Sequence, residues 1–235
     1  GIGVVIFGDA NRGDQLAVGR ALLDKGDSRG ALIAFKSAVR DQPDNIDARL
    51  ELGSLSLRMG ESASAEKEFT TAKRLGATDE QTAAPLAEAM LLQGKNKEVL
   101  DAFDADAYTE ASVKARILAS RGIALAALKR VDEAEQSLNQ ALSTDPELVV
   151  AHVALAGLYQ SRDELLRAEA SVDRALALMP DHTGALLRKA DLRRLADDMP
   201  GALQYYQRVI ALDSGNPTAR LGAAMILIAR FKKIS

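Results

Sequence analysis

Small and large apolar residues return along this chain at a fixed interval, with polar residues filling the spaces between them at helical period. Gly19, Gly53, Ala87, Gly122, Ala156, Ala190 and Ala224 form one series, spaced 34, 34, 35, 34, 34 and 34 apart. Large side chains keep step at Phe35, Phe69, Phe103, Leu138, Val172 and Tyr206. A third series places alanine at Ala31, Ala65, Ala134, Ala168 and Ala202, with Val99 in the remaining turn. Three series at one period mark an internal repeat, in which each unit is too small to bury its apolar face alone and neighbours must stack.

The pattern predicts two helices per unit, A and B, each followed by a turn. In the first unit helix A spans roughly Asp14 to Lys25, Gly26 and Asp27 turn the chain, and helix B spans roughly Ser28 to Asp41. Pro43 ends helix B, because it lacks an amide proton and restricts the residue before it. Pro146 and Pro180 stand at the same place, whereas Ala77 and Ser214 replace proline and predict softer joints. The small residue of helix A is the contact point, since glycine in a helix interior costs about 1 kcal/mol and recurs only where bulk is excluded.

Six such units fall at 12–45, 46–79, 80–114, 115–148, 149–182 and 183–216, preceded by an N-terminal extension at 1–11. The stretch 217–235 supplies a further helix A with Ala224 in register. That helix either caps the stack or lacks a helix B of its own, and the apolar run Met225–Ile228 favours the second reading. The third unit is irregular near 97–114: its helix B meets Asp104 and Asp106, and a one-residue insertion follows. A shortened helix or a seam between two groups of repeats is expected there, within a single solenoid over 12–235.

Composition narrows the chemistry. Hydrophobic residues make up 47% of the 235, but aromatics only 4%, with no tryptophan, which suits closely packed helices better than sheets. The net charge of -3 and scattered basic residues give no nucleic-acid signature, and Arg230, Lys232 and Lys233 read as a solvated tail. With no cysteine, disulfides, thiol catalysis and cysteine-held metals are out of reach. No apolar run is long enough to span a bilayer, and the strip at residues 2–7 is far too short. The sequence opens without methionine and reads as a fragment whose targeting segment lies elsewhere.

The set Leu22, Gly26, Ala31, Phe35, Ala38 and Pro43 resembles the tetratricopeptide repeat. So do Leu125, Ala134, Leu138, Ala141 and Pro146, and then Leu155, Tyr159, Ala168, Ala175 and Pro180. The early tryptophan of many such repeats is replaced by Gln15, Arg49, Leu118 and His152. The resemblance implies an all-α, right-handed superhelical solenoid of six helix-turn-helix repeats plus an extra C-terminal helix. More narrowly, residues 13–69 and the segment LGATDEQTAAPLAEAMLLQGKNKEVLDAF at 75–103 look like the repeat lipoprotein associated with PEP-CTERM protein sorting, a family linked to exosortase and exopolysaccharide systems. That likeness implies a periplasmic or lipid-anchored location, although the sequence is equally compatible with the cytoplasm.

By the same resemblance the A helices line a concave groove. Its outward-facing candidates are Arg20, Asp24, Ser54, Arg58, Glu88, Leu91, Ile123, Gln160, Asp191 and Arg194. The mixture of charge and apolar surface fits an extended peptide, a helix or another repeat protein. The carboxylate clamp known in the family is not reproduced, because Leu16 and Arg20 are followed by Leu50 and Ser54. Self-association through the C-terminal helix is the other partner expected.

No catalytic, cofactor or metal site emerges. His152 and His182 are the only histidines and form no HExxH pair. His182 reads as part of a helix stop after Pro180. Asp101, Asp104, Asp106 and Glu110 lack the glycine-centred order of a calcium loop. Tyr206 reads as core and Tyr205 as side or surface, and the glycines form no phosphate loop. The leading function is a non-enzymatic interaction scaffold organising an envelope protein-sorting or exopolysaccharide-secretion assembly. A polysaccharide-binding module is the alternative, and the scarcity of aromatics speaks against it.

Overall fold

The computed structural model describes residues 14–232, with side chains as far as Ala229. The expected extension at 1–11 lies outside the described residues, as do the side chains of Arg230, Lys232 and Lys233. All described secondary structure is helical, and the chain falls into two compact units that divide between Phe103 and Asp104.

In the first unit, α1 (Gln15–Asp24) pairs with α2 (Ser28–Asp41), α3 (Ile46–Arg58) with α4 (Ser62–Arg74), and α5 (Asp79–Leu92) with the short α6 (Asn96–Ala102). In the second, a 3-10 turn at Ala105–Ala107 leads to α7 (Ala111–Ala127), which pairs with α8 (Val131–Thr144). Then α9 (Val149–Ser161) pairs with α10 (Leu165–Leu178), α11 (Thr183–Leu195) with α12 (Met199–Leu212), and α13 (Pro217–Lys232) follows. Odd-numbered helices are A and even-numbered helices B. Within each unit α2, α4, α8, α10 and α12 also pack on the A helix that follows, so each unit is a stack of hairpins.

Bulk exclusion explains the small series directly. A β-carbon on Gly19 would lie 2.3 Å from the Phe35 ring, and one on Gly122 would lie 2.6 Å from Leu138 Cγ. Phe35, Phe69, Leu138, Val172 and Tyr206 are all buried in this contact. The last helix keeps the period, but its small residue is left uncovered. Gly222, not Ala224, meets the preceding unit, at 2.5 Å from the Tyr206 ring, and Ala224 is exposed. In earlier units the position of Ala224 faces that unit's own helix B, and no such helix follows among the described residues.

The joints end alike with or without proline. Helix α12 stops at Leu212 as α2 stops at Asp41, because the Asp213 carboxylate accepts from the Gly215 amide at 3.0 Å and turns the chain locally. Where Ala77 replaces proline, Gly76 takes a φ of 106° and does the same work. Helix α6 is cut to seven residues because Phe103 turns extended and the Asp104 carboxylate accepts from the Asp106 amide at 3.1 Å, competing with continued helix.

One further periodic position lies in the A–B turns. Gly26, Gly60 and Gly94 hold φ of 78°, 78° and 74°, and Lys129, Asp163 and Asp197 hold 64°, 60° and 59°. The left-handed conformation costs a non-glycine residue about 1–2 kcal/mol, less for aspartate than for lysine. Lys129→Gly should therefore stabilise the second unit by about 0.5–1 kcal/mol after glycine's extra unfolded-state entropy. A urea midpoint that stays put or falls would contradict this.

Candidate functional site

Within each compact unit an A helix turns one face to the helices B beside it in that unit, and another outward. In the first unit Arg20, Asp24, Ser54, Arg58 and Glu88 are exposed on that outward face, and Leu91 is half-buried. Arg20 donates from Nε to Glu51 at 2.7 Å, an exposed pair of small energetic weight that spans α1 and α3. Leu92, 60% exposed, occupies the repeat position of Asp24 and Arg58 and adds apolar surface that the sequence reading did not include. Its signal was available: it lies one period beyond Arg58.

The second unit treats its candidates differently. Ile123, Gln160 and Asp191 are half-buried, and only Arg194 is exposed. Asp191 accepts from the Tyr206 hydroxyl at 2.7 Å, joining α11 to α12, and Arg194 lies 4.0 Å from the same carboxylate. Burial, with Asp191 beside it, pushes the Tyr206 phenol up to about 12. Gln160 accepts from Arg188 at 3.3 Å. Open apolar positions here include Leu195, Leu221 and Met225, exposed by 49%, 64% and 60%.

Glutamates one residue after the buried alanine of helix B hold each such hairpin to the A helix that follows. Glu66 takes Lys95 at 2.6 Å and Gln93 at 2.5 Å. Glu135 takes Arg162, Arg167 at 2.6 Å and the Tyr159 hydroxyl at 3.0 Å, with the Arg167 guanidinium 3.9 Å over the Tyr159 ring. Glu169 takes Lys189 at 2.8 Å and Arg193 at 3.0 Å. Burial works against the charge of Glu135, but the hydrogen bonds from Arg162 and Arg167 outweigh it and hold the carboxyl below its usual range. The recurring pairs Ala65-Glu66, Ala134-Glu135 and Ala168-Glu169 carried this signal in the sequence. These clasps fix the angle at which successive A helices present their faces.

The other titratable groups serve local structure. His182 caps the start of α11, its Nδ1 accepting from the Ala185 amide at 3.1 Å, rather than stopping the helix before it. Burial moves its pKa down, which keeps the ring in the neutral form this bond requires. His152 lies 2.9 Å from the Pro146 carbonyl. Asp106 is bound to Lys114 at 2.8 Å, which lowers its pKa, and Glu110 accepts from Ser112 at 2.5 Å. No group of carboxylates and histidines among the described residues is arranged to hold a metal ion. No described helix is long and apolar enough to cross a membrane. Shallow clefts among the described residues include one of about 580 Å³ beside Glu66 and Arg74 and one of about 540 Å³ beside Asp106 and Glu133. Neither places a nucleophile beside a base.

Comparison with known proteins gives a consistent picture. Family models described as tetratricopeptide repeat match residues 16–80 and 153–217, and residues 115–148. No curated protein matches the sequence. Among solved structures the chain is similar to PilF of Pseudomonas aeruginosa, at 17% identity over 90% of this chain and 96% of that one, with a TM-score of 0.56. It is similar to a chain of the APC/C hetero-tetramer Cut9-Hcn1, at 16% identity over 91% of this chain and 42% of that one, with a TM-score of 0.67. The human IFIT1 dimer with m7Gppp-AAAA matches at 17% identity over 83% of this chain and 49% of that one, with a TM-score of 0.63. At these identities the likeness is one of fold.

Proposed function

The chain belongs to the tetratricopeptide repeat family, and we propose that it is a non-enzymatic scaffold presenting the outward faces of its A helices to a protein or peptide. The observation that carries this reading is the surface those helices leave open. Arg58, Glu88 and Leu92 are exposed on the A helices of the first unit, and Leu195, Leu221 and Met225 on those of the second. Charge among exposed apolar side chains is the composition of a selective protein-binding surface, with apolar contacts supplying affinity and charges supplying register.

The cellular setting is part of the same proposal. The resemblance of residues 13–103 to the PEP-CTERM-associated lipoprotein supports a role in an envelope assembly for protein sorting or exopolysaccharide secretion. Polysaccharide binding is the weaker alternative, because no aromatic side chain among the described residues is exposed to stack on a sugar ring. Self-association would use the open side of α13, where Ala224, Leu227 and Ile228 are exposed.

Affinity capture from extract containing solubilised envelope proteins tests the reading, with a differently tagged second copy of the chain added to report self-association. Arg20→Glu with Arg58→Glu is the comparison, run after circular dichroism confirms that it folds. A protein held by the parent and released at least tenfold by the variant is the expected result, since like charges brought face to face across an interface cost several kcal/mol. Equal retention would move the site off the A-helix face of the first unit. Retention of glycan alone would favour the polysaccharide alternative.

A further inference from the structure

In the second unit, α11 sends the Arg188 side chain across the outward face of α9. The guanidinium lies where a side chain at Gly157 would otherwise stand: a β-carbon there would be 2.7 Å from Arg188 Nη2 and 2.9 Å from Cζ. Its hydrogen bond to protein goes to the neutral Gln160 Oε1, at a long 3.3 Å. The arrangement is unusual within this molecule. Arg49, Lys95, Lys114, Arg162, Lys189 and Arg193 are likewise drawn partly out of solvent, and each holds a carboxylate. Arg188 has none within ion-pair distance among the described residues. Asp191, three residues on, is engaged with the Tyr206 hydroxyl and Arg194.

A guanidinium carries five donors in a planar fork that matches a carboxylate, and Arg188 is half-buried with one weak acceptor. It is seated by Gly157 and steadied by Gln160. Val153 on α9, Leu187 on α11 and Leu221 on α13 share one repeat position, the first two half-buried and the third exposed, and Met225 lies one helical turn beyond Leu221. We propose that Arg188 is the anchor of a binding site for a peptide segment that carries an acidic side chain between apolar ones. This deepens the scaffold reading and rests on it: the guanidinium receives the carboxylate, and Leu221 and Met225, both largely exposed, cover the flanking apolar side chains. Complementary charge selects the partner, because an amide in place of the acid would leave the half-buried guanidinium without its counter-ion.

The test uses the whole chain, immobilised, and a seven-residue combinatorial peptide library. Acetylated and amidated ends leave side chains as the only carboxylates, and a second library with free C-termini separates chain-end carboxylates from side-chain ones. The expected result is enrichment of aspartate or glutamate flanked by apolar residues in the capped library. The best peptide should lose roughly tenfold or more in affinity on Arg188→Gln, and as much when its acid is changed to the amide, without adding when both changes are made. Gly157→Ala should weaken it as well. Its β-carbon displaces the end of a flexible side chain and no backbone, so the fold persists while the guanidinium loses its seat. Enrichment of neutral peptides, enrichment only in the free-terminus library, no enrichment, or an acidic peptide indifferent to Arg188→Gln would each overturn the assignment. A neutral peptide lost on Met225→Glu would overturn the anchor while leaving the scaffold standing.

Discussion

Phe69→Ala should lower stability by about 3–5 kcal/mol, the range for removing a fully buried aromatic side chain without collapse around the gap. Phe69 is 1% exposed and packs with Ala65 and Ala89, with Leu50, Leu57 and Leu86 around them. These residues come from α3, α4 and α5, so one ring holds a hairpin together and joins it to the next. Relaxation is restricted, because a β-carbon on Gly53 would stand 3.1 Å from the ring, and the glycine has no side chain to move into the space. Stability in a stacked repeat is a sum of unit and interface contributions, and this substitution removes part of both. Urea denaturation followed by circular dichroism checks it, and a loss under 1 kcal/mol would mean that the ring is not the keystone of this contact.

The second large effect concerns charge under cover. Arg49 Nη1 donates to Glu68 Oε2 at 2.5 Å, with side chains only 12% and 6% exposed, and Arg49 Nε also reaches the Pro43 carbonyl at 2.7 Å. Arg49→Ala leaves the Glu68 carboxylate buried with Lys67 at 4.0 Å, at the edge of ion-pair range. The expected cost is about 3–5 kcal/mol, most of it the desolvation of an unpaired charge and not the worth of the pair. Arg49→Met combined with Glu68→Met should then be close to neutral, since both charges leave together. A double-mutant cycle measures the difference, and near-additive single effects would place the pair in solvent.

The fold was largely legible because its strongest determinant is periodic. Gly19, Gly53 and Gly122 against Phe35, Phe69 and Leu138 announce a close contact that the structure then shows atom by atom. What escaped were features that periodicity in residue type does not record. Lys129, Asp163 and Asp197 occupy the left-handed turn position of Gly26, but they share no residue type with it, and the backbone shows the equivalence. Ala224 follows the period and yet is exposed, since register says which face a residue occupies and not whether that face is covered.

The site was less legible than the fold. A position on an outward helix face becomes a free contact or an internal bond depending on side chains 15 to 28 residues away. Ser54 and Arg58 remain open, whereas Asp191 is taken by Tyr206 and Gln160 by Arg188. Arg188 itself drew no attention, because its setting depends on a glycine in the preceding A helix. Leu92 and Leu195 were reachable by carrying the period of Asp24 and Arg58 along the chain.

The claim that the A-helix faces are the working surface is open to a direct measurement, because the chain has no cysteine. Single cysteines at Ser54 and Leu195 on A helices, and at Ile33 and Leu166 on B helices, are labelled with a maleimide in the presence and absence of the captured partner. All four positions are exposed, the last two by 68% and 85%, so each reacts in the free protein. The account predicts that the partner slows labelling at an A-helix position while 33 and 166 react as before. Protection at 33 or 166, with both A-helix cysteines still reactive, would place the partner on the B helices and contradict it.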